Sequence, residues 1–298
     1  MTDTSEPGAP TSGAKTPSAP QRAPAPIAWA DAAPLALAGR PRRVIPLVVG
    51  FEVIAEAISV AGGSSFRHLM EPVTAAAVVF DEGWVLVDGG FDPARIRHRS
   101  LRVTSFDYEN YAPVVPAGDP LVDQVAAAGL AWSDLAAAAV SHAHFDHTGA
   151  GRMLRPDQPL LIQRREWEHA LAVTQPRAHF LFLDDLVRSN VQPVLLDGDT
   201  RIAEGFDALD TAGHTPGHQS FSIDLEERTI VLACDAADLR VNIEKIIPCG
   251  STAGPDAARQ AEASIRRLHE LDALPDTEVW PGHDPEWGPW REVIDAQS

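Results

Sequence analysis

The sequence predicts one α/β domain of roughly 250 residues behind a Pro/Ala-rich tail. Three observations carry this expectation. Strands and helices are interleaved from Val44 onward, with no linker between them. Hydrophobic residues make up 45% of the 298, enough for a sizeable core. Residues 1–43 are instead dominated by Ala, Pro, Ser, Thr and Gly, with prolines at positions 7, 10, 17, 20, 24, 26, 34 and 41. Such a segment buries too little apolar surface to offset its ordering entropy. The expected division is a disordered tail over 1–43 and a domain over 44–298. Disorder is expected up to about Ala25, while the stretch around Ile27, Trp29 and Leu35 has the apolar groups to fold back.

The elements follow in order. Val44–Val49 and Phe51–Val60 have strand character, with Gly50 and Gly62-Gly63 as breaks. Val73–Phe80 and Trp84–Val87 form a hairpin around Asp81-Glu82-Gly83. Pro120–Ala128 is expected to be helical, stopped by Gly129. Leu135–Val140 is a short buried strand. Arg164–Val173 is expected to be a helix. Val194–Leu196, Ile202, Phe206–Leu209, Phe221–Leu225 and Thr229–Ala233 have strand character. In Pro255–Leu271 the apolar Ala258, Ala261, Ile265 and Leu268 fall at helical spacing. Thr277–Trp280 is the last expected strand, followed by a short tail from Trp287.

Charge and cysteine usage exclude several functions. With 24 Lys+Arg against 42 Asp+Glu, the net charge is −18. Phosphate backbones and anionic bilayers both call for basic surfaces, so neither nucleic acid nor membrane is an expected partner. No run of 18 apolar residues exists to span a bilayer. Two cysteines, Cys234 and Cys249, cannot make a disulfide framework or a four-cysteine zinc site. Acidic Asp3 and Glu6 and the early prolines do not suit a secretory signal. The expected compartment is the cytoplasm, and a homodimer is compatible with the chain.

The chemistry sits at strand ends. His142-Ala143-His144-Phe145-Asp146-His147 puts three imidazoles and a carboxylate into six residues, directly after a buried strand. All four are ligand types for zinc and its neighbours. A loop that turns alternate side chains to one point and the next two to another suits two adjacent metals. Gly149 and Gly151 let the backbone fold tightly beneath. Four residues do not complete two sites, so the remaining ligands are sought at other strand ends: His214, Asp235 and His283.

The run His142-X-His144-X-Asp146-His147, followed by His214, Asp235 and His283, resembles the metallo-β-lactamase superfamily. Leu86-Val87-Asp88-Gly89-Gly90, Gln163–Glu168, Thr211–Ser220 and Gly282-His283-Asp284 are similar to its N-acyl homoserine lactonase branch. The resemblance implies a four-layer αββα sandwich with the site at one edge of the two sheets. It implies one metal on His142, His144 and His214, a second on Asp146, His147 and His283, and Asp235 bridging both. Asp88 would orient a ligand histidine, and His218 would be structural. The implied cofactors are two divalent ions per chain. Zinc is the default, while iron, manganese or cobalt fit the same donors. The implied partner is a small lactone or ester, hydrolysed by a metal-bridging hydroxide. Asp146 would serve as both ligand and proton acceptor.

One departure stands out. Lactonases of that branch carry a tyrosine three residues after the bridging aspartate, and here that place is Asp238. The only tyrosines are Tyr108 and Tyr111, upstream of the metal loop, from where one could reach the site. Val48–Met70 and Ala178–Leu186 are expected to line the pocket. Two alternatives share the superfamily. A glyoxalase II-like thioester hydrolase would add a C-terminal helical region. A mononuclear iron persulfide dioxygenase would need fewer of the seven ligands.

Overall fold

A computed structural model describes residues 24–99, 111–175, 179–188, 190–254 and 256–297. Tyr108 and Ala178 lie outside them. Thirteen strands are formed among the described residues, and they build two sheets. Strands β1 (Ile27–Ala28), β2 (Arg43–Ala55), β3 (His68–Val79), β4 (Trp84–Val87), β5 (Tyr111–Val114), β6 (Leu135–Ala139), β7 (Pro159–Gln163) and β8 (Gln192–Leu196) make the larger sheet. Its order is β1-β8-β7-β6-β4-β3-β2-β5. Strands β9 (Thr200–Ala203), β10 (Phe206–Asp210), β11 (Gln219–Asp224), β12 (Thr229–Cys234) and β13 (Thr277–Pro281) make the smaller one, in the order β13-β12-β11-β10-β9.

Alternation along the strands explains the layering. On β4, Val85 and Val87 point between the sheets, while Trp84 and Leu86 point to the opposite face. Val48, Val78, Val87, Ala139 and Leu161 of the larger sheet meet Phe206, Phe221, Ile223, Ile230 and Leu232 of the smaller one. The outer face of the larger sheet carries Leu86, Leu135, Ala138 and Ile162. These pack with Leu121 and Val125 of helix Pro120–Ala127 and with Trp167 and Ala170 of helix Arg164–Ala172. The outer face of the smaller sheet, at Val231 and Val279, is covered by Ile265 and Leu268 of helix Ala257–Asp272. Helix, sheet, sheet, helix is the expected αββα order.

Local chemistry sets the helix ends. Asp119 accepts a hydrogen bond from the Val122 amide, and Pro120 opens the helix that follows. Gly129 takes a positive φ just beyond its end.

Three differences from the sequence reading have physical causes. Gly50 does not break a strand. β2 runs through it with a register shift between Val48 and Gly50, and a Cβ there would lie 2.8 Å from the Phe91 ring. The chain then turns into helix Glu56–Ser59, so the strand does not reach Val60. The C-terminal stretch includes helix Gly288–Gln297. Its Trp290 is buried against Trp280 and donates to the Pro281 carbonyl at 2.7 Å.

The tail boundary also moves. Ile27 and Ala28 pair in parallel with Val194 and Leu195, and Trp29, Leu35 and Leu37 pack against the inter-sheet core. Residues 24–43 are therefore part of the domain rather than of a tail ending at 43; residues 1–23 lie outside the described structure. Deleting residues 1–25 is expected to leave fold and activity unchanged. Deletion through Arg42 strips three half-buried apolar side chains from the core edge. It is expected to cost roughly 2 kcal/mol, measured as the difference in denaturant unfolding between the two truncations. Equal stability of the two would refute this.

Candidate metal centre

The seven expected ligands converge at one edge of the sandwich. β6 delivers His142, β12 delivers Asp235, β13 delivers His283, and the loop after β10 delivers His214. The tight path of the His142–His147 loop depends on Gly149, where a Cβ would sit 2.4 Å from the Gly90 carbonyl oxygen.

Two groups form. His142, His144, His214 and Asp235 make one; Asp146, His147, His283 and Asp235 make the other. In each, the donor atoms lie within 4.8 Å of one another. Asp235 belongs to both through different oxygens. Its Oδ2 lies 3.6 Å from His142 Nε2 and 3.3 Å from His214 Nε2. Its Oδ1 lies 3.2 Å from His147 Nε2 and 3.0 Å from His283 Nε2. Asp146 Oδ2 lies 3.0 Å from His147 Nε2.

The far nitrogen of several rings is already engaged. His147 Nδ1 faces Asp88 Oδ2 at 2.9 Å, His283 Nδ1 faces the Pro72 carbonyl at 2.8 Å, and His214 Nδ1 faces the Ser251 carbonyl at 3.1 Å. These partners accept, so each Nδ1 carries a proton, which leaves Nε2 as the nitrogen that would bind a metal. Asp88 also accepts from the Ser141 amide at 2.7 Å and the Ser141 hydroxyl at 2.9 Å, which fixes the start of the ligand loop. It therefore holds His147, one of the expected ligands, from behind.

The donor set fits divalent metals. His142 Nε2 and His214 Nε2 lie 2.9 and 3.0 Å from His144 Nδ1, so three ring nitrogens converge on one point. Burial holds His142 well below, and His214 below, the usual imidazole value, and lowers His144 to about 3, with neighbouring imidazoles adding to the shift. The first group is thus three neutral imidazoles, the form that binds a cation. The second group pairs two carboxylates with two imidazoles. Burial opposes protonation of His147 and His283, yet Asp235 in both cases, with Asp146 beside His147, holds them well above the usual value. His147 Nε2 is buried and makes no well-formed hydrogen bond among the described residues. With Asp146 Oδ2 at 3.0 Å and Asp235 Oδ1 at 3.2 Å, it forms a donor cluster that a cation could join.

His218 is not in either group. It accepts the Asp235 amide at Nε2, 3.1 Å away, and its Nδ1 meets Thr211 Oγ1 at 2.9 Å. It buttresses the shared aspartate, a structural role of the kind expected.

A cavity opens over the two groups. Ile54, Ile58, Tyr111, Phe180, Asp238 and Ser251 line it together with Asp146, Asp235, His144 and His214. Tyr111 on β5 reaches this wall. Its ring packs edge-on against Phe145, and burial raises its phenol well above the ordinary value, with Glu52 and Asp146 adding to the shift. Asp238 lines the same cavity, and its Oδ1 is buried without a hydrogen-bond partner among the described residues. The expected lining segments thus contribute Ile54 and Ile58 from one side and Phe180 from the other.

Sequence reasoning missed Glu52, Glu71 and Glu166. Glu52 lies 3.6 Å from His283 Nδ1 and sits directly across from Glu71 on β3. The signal was available: both are carboxylates inside otherwise apolar strands, where a charge has no bland use.

Comparison with known proteins agrees with this geometry. Residues 70–283 match the metallo-beta-lactamase superfamily model. An N-acyl homoserine lactonase of Bacillus cereus is 32% identical over 216 residues, covering 72% of this chain and 82% of that protein. The N-acyl homoserine lactonase AttM of Agrobacterium fabrum is 30% identical over 193 residues, covering 61% of this chain and 71% of its own length. A solved N-acyl homoserine lactone hydrolase, with N-hexanoyl-L-homoserine at its catalytic metal centre, superposes with a TM-score of 0.70 at 27% identity. That match covers 83% of this chain and 95% of the other. The strand-end ligands, the two sheets and these relatives agree: the chain is a metal-dependent hydrolase of the metallo-β-lactamase superfamily, in its N-acyl homoserine lactonase-like branch.

Proposed function

We propose that this protein opens the ring of N-acyl homoserine lactones at a dinuclear metal centre. The observation that carries the reading is the division of Asp235 between the two ligand groups, Oδ2 to one and Oδ1 to the other. His142, His144 and His214 would hold one ion and Asp146, His147 and His283 the other. Two divalent cations, zinc by donor type, would supply Lewis acidity and a water of lowered pKa.

The chain's own groups do the rest. Asp146 lines the cavity and is held below the usual carboxylate range: burial opposes this, but His147 beside it prevails. It takes the proton of the attacking water at its carboxylate and returns it to the ring oxygen as the C–O bond breaks. Water and lactone are consumed, and one hydroxy acid leaves. Tyr111 stays protonated at neutral pH and presents its O–H to the ring carbonyl. Ile54, Ile58 and Phe180 offer apolar surface to an acyl chain. Asp238 Oδ1 awaits a polar group of the substrate, for which the acyl amide N–H has the right chemistry.

Cys234 and Cys249 are buried, unpaired thiols, and burial raises both well above the usual value. They suit a reducing compartment, and we place the protein in the cytoplasm. No described helix is long and apolar enough to cross a membrane.

A pH-stat screen against acyl homoserine lactones, thioesters and a β-lactam tests the activity, with an oxygen electrode on a persulfide as the counter-assay. Lactone hydrolysis without oxygen uptake is expected. Elemental analysis of the same sample should find about two divalent ions per chain. At most one ion after saturation with zinc, manganese and iron in turn would defeat the dinuclear reading. Preference for a thioester would replace the substrate.

A further inference from the structure

Helix Arg164–Ala172 lies outside the ligand set, yet its third residue touches both loops of one ligand group. Glu166 is fully buried, at 0% exposure. Its Oε1 accepts the Ala143 amide at 2.9 Å, and its Oε2 accepts the Gly217 amide at 3.0 Å. Ala143 is the residue between His142 and His144. Gly217 closes the turn that begins at His214. One carboxylate therefore ties together the backbones that carry His142, His144 and His214.

The other group hangs on different anchors. His147 is held through Nδ1 by Asp88, and His283 through Nδ1 by the Pro72 carbonyl. The chain between the two groups has its own tie, the Phe145 amide to the Phe180 carbonyl at 2.9 Å. The Glu166 contact is also close-packed. A Cβ at Gly217 would lie 2.2 Å from the Glu166 nitrogen, so loop and helix start have no slack between them.

We propose that Glu166 is the positioning residue of one metal site alone, setting the spacing of His142, His144 and His214 through the Ala143 and Gly217 amides. The inference rests on the two-site reading above. Its chemistry is specific to a carboxylate. Both partners donate, so both side-chain oxygens must accept. An amide in its place offers one oxygen and one NH2, and sets a donor against a donor.

The test reads metal affinity rather than turnover. Wild type, Glu166→Gln, His283→Ala, His214→Ala and the two double variants with Glu166→Gln are stripped and titrated with Co2+ against a competing chelator. Binding is followed by elemental analysis and the visible cobalt spectrum. In the His283→Ala background, Glu166→Gln should weaken the remaining ion about 10–100-fold. In the His214→Ala background it should change nothing further. Glu166→Asp keeps the charge but reaches only one amide, so an intermediate loss is expected. It carries the comparison if the Gln variant fails to fold by circular dichroism. Equal weakening in both backgrounds, or unaltered affinity in both, overturns the inference. A wild-type chain that holds a single ion defeats the dinuclear reading by itself. If His214→Ala abolishes that single ion, Glu166→Gln must still weaken it, and if it does not the inference falls as well; if His283→Ala alone abolishes it, the His142, His144 and His214 site does not exist and the inference falls with it.

Discussion

Asp146→Asn is expected to lower kcat/KM on a lactone at least about 100-fold, the usual scale for removing an acid–base group. The substitution keeps the shape of a buried side chain and deletes its charge. Asp146 Oδ2 is 3.0 Å from His147 Nε2, so the lost anion also served as that ring's counter-charge. Metal loss would enlarge the effect, and metal content must be read on the same sample. A variant with full metal and a rate down by two orders of magnitude isolates the proton-transfer role. Near-native activity in Asp146→Asn would sink the assignment of Asp146 as base. Tyr111→Phe is expected to cost less, about tenfold, because it removes one hydrogen bond and leaves the ring packed on Phe145. An unchanged kcat there would remove Tyr111 from the reaction.

The convergence of the candidate ligands was legible because it obeys a local rule. A buried strand of one leucine and four alanines from Leu135 to Ala139 ends in a dense run of donors, and the remaining ligands also follow strand ends. The amphipathic helix over Ala257–Asp272 and the hairpin at Asp81–Gly83 are local signals of the same kind. What escaped depends on distant pairing. β1 is two residues long and exists only because β8 offers a parallel edge. Gly50 has the composition of a break but acts as a bulge, since β3 and β5 flank β2 on both sides. The role of Glu166 emerges only when Ala143 and Gly217, 74 positions apart in the chain, arrive at its two oxygens. Asp88 was legible through the resemblance, whereas Glu52 and Glu71 are paired across strands and became meaningful once His283 was seen beside them.

That buried pair gives the second large expected effect. Glu71 is 0% exposed, and neither carboxylate oxygen makes a well-formed hydrogen bond among the described residues. Burial pushes its pKa from 4.5 up to about 7, against the pull of His283 and the Ser59 hydroxyl. Burial likewise lifts Glu52 to about 8, again opposed by His283. A raised carboxyl pKa means that the folded protein keeps a proton the unfolded chain has released. Stability from this source is therefore complete below pH 4.5 and falls as pH rises through the folded pKa near 7. At about 1.4 kcal/mol per unit, Glu71 alone takes away roughly 3 kcal/mol by pH 8. Glu71→Gln keeps the volume and removes the ionisation. Metal-free Glu71→Gln should unfold at higher denaturant than metal-free wild type at pH 8, by up to that amount. At pH 4.5 or below the two should nearly coincide. A constant difference across this range would show that packing, and not the buried charge, sets the cost of Glu71. A wild type more stable at pH 8 would show that the ionised carboxylate has a partner in solution, with His283 the first to examine.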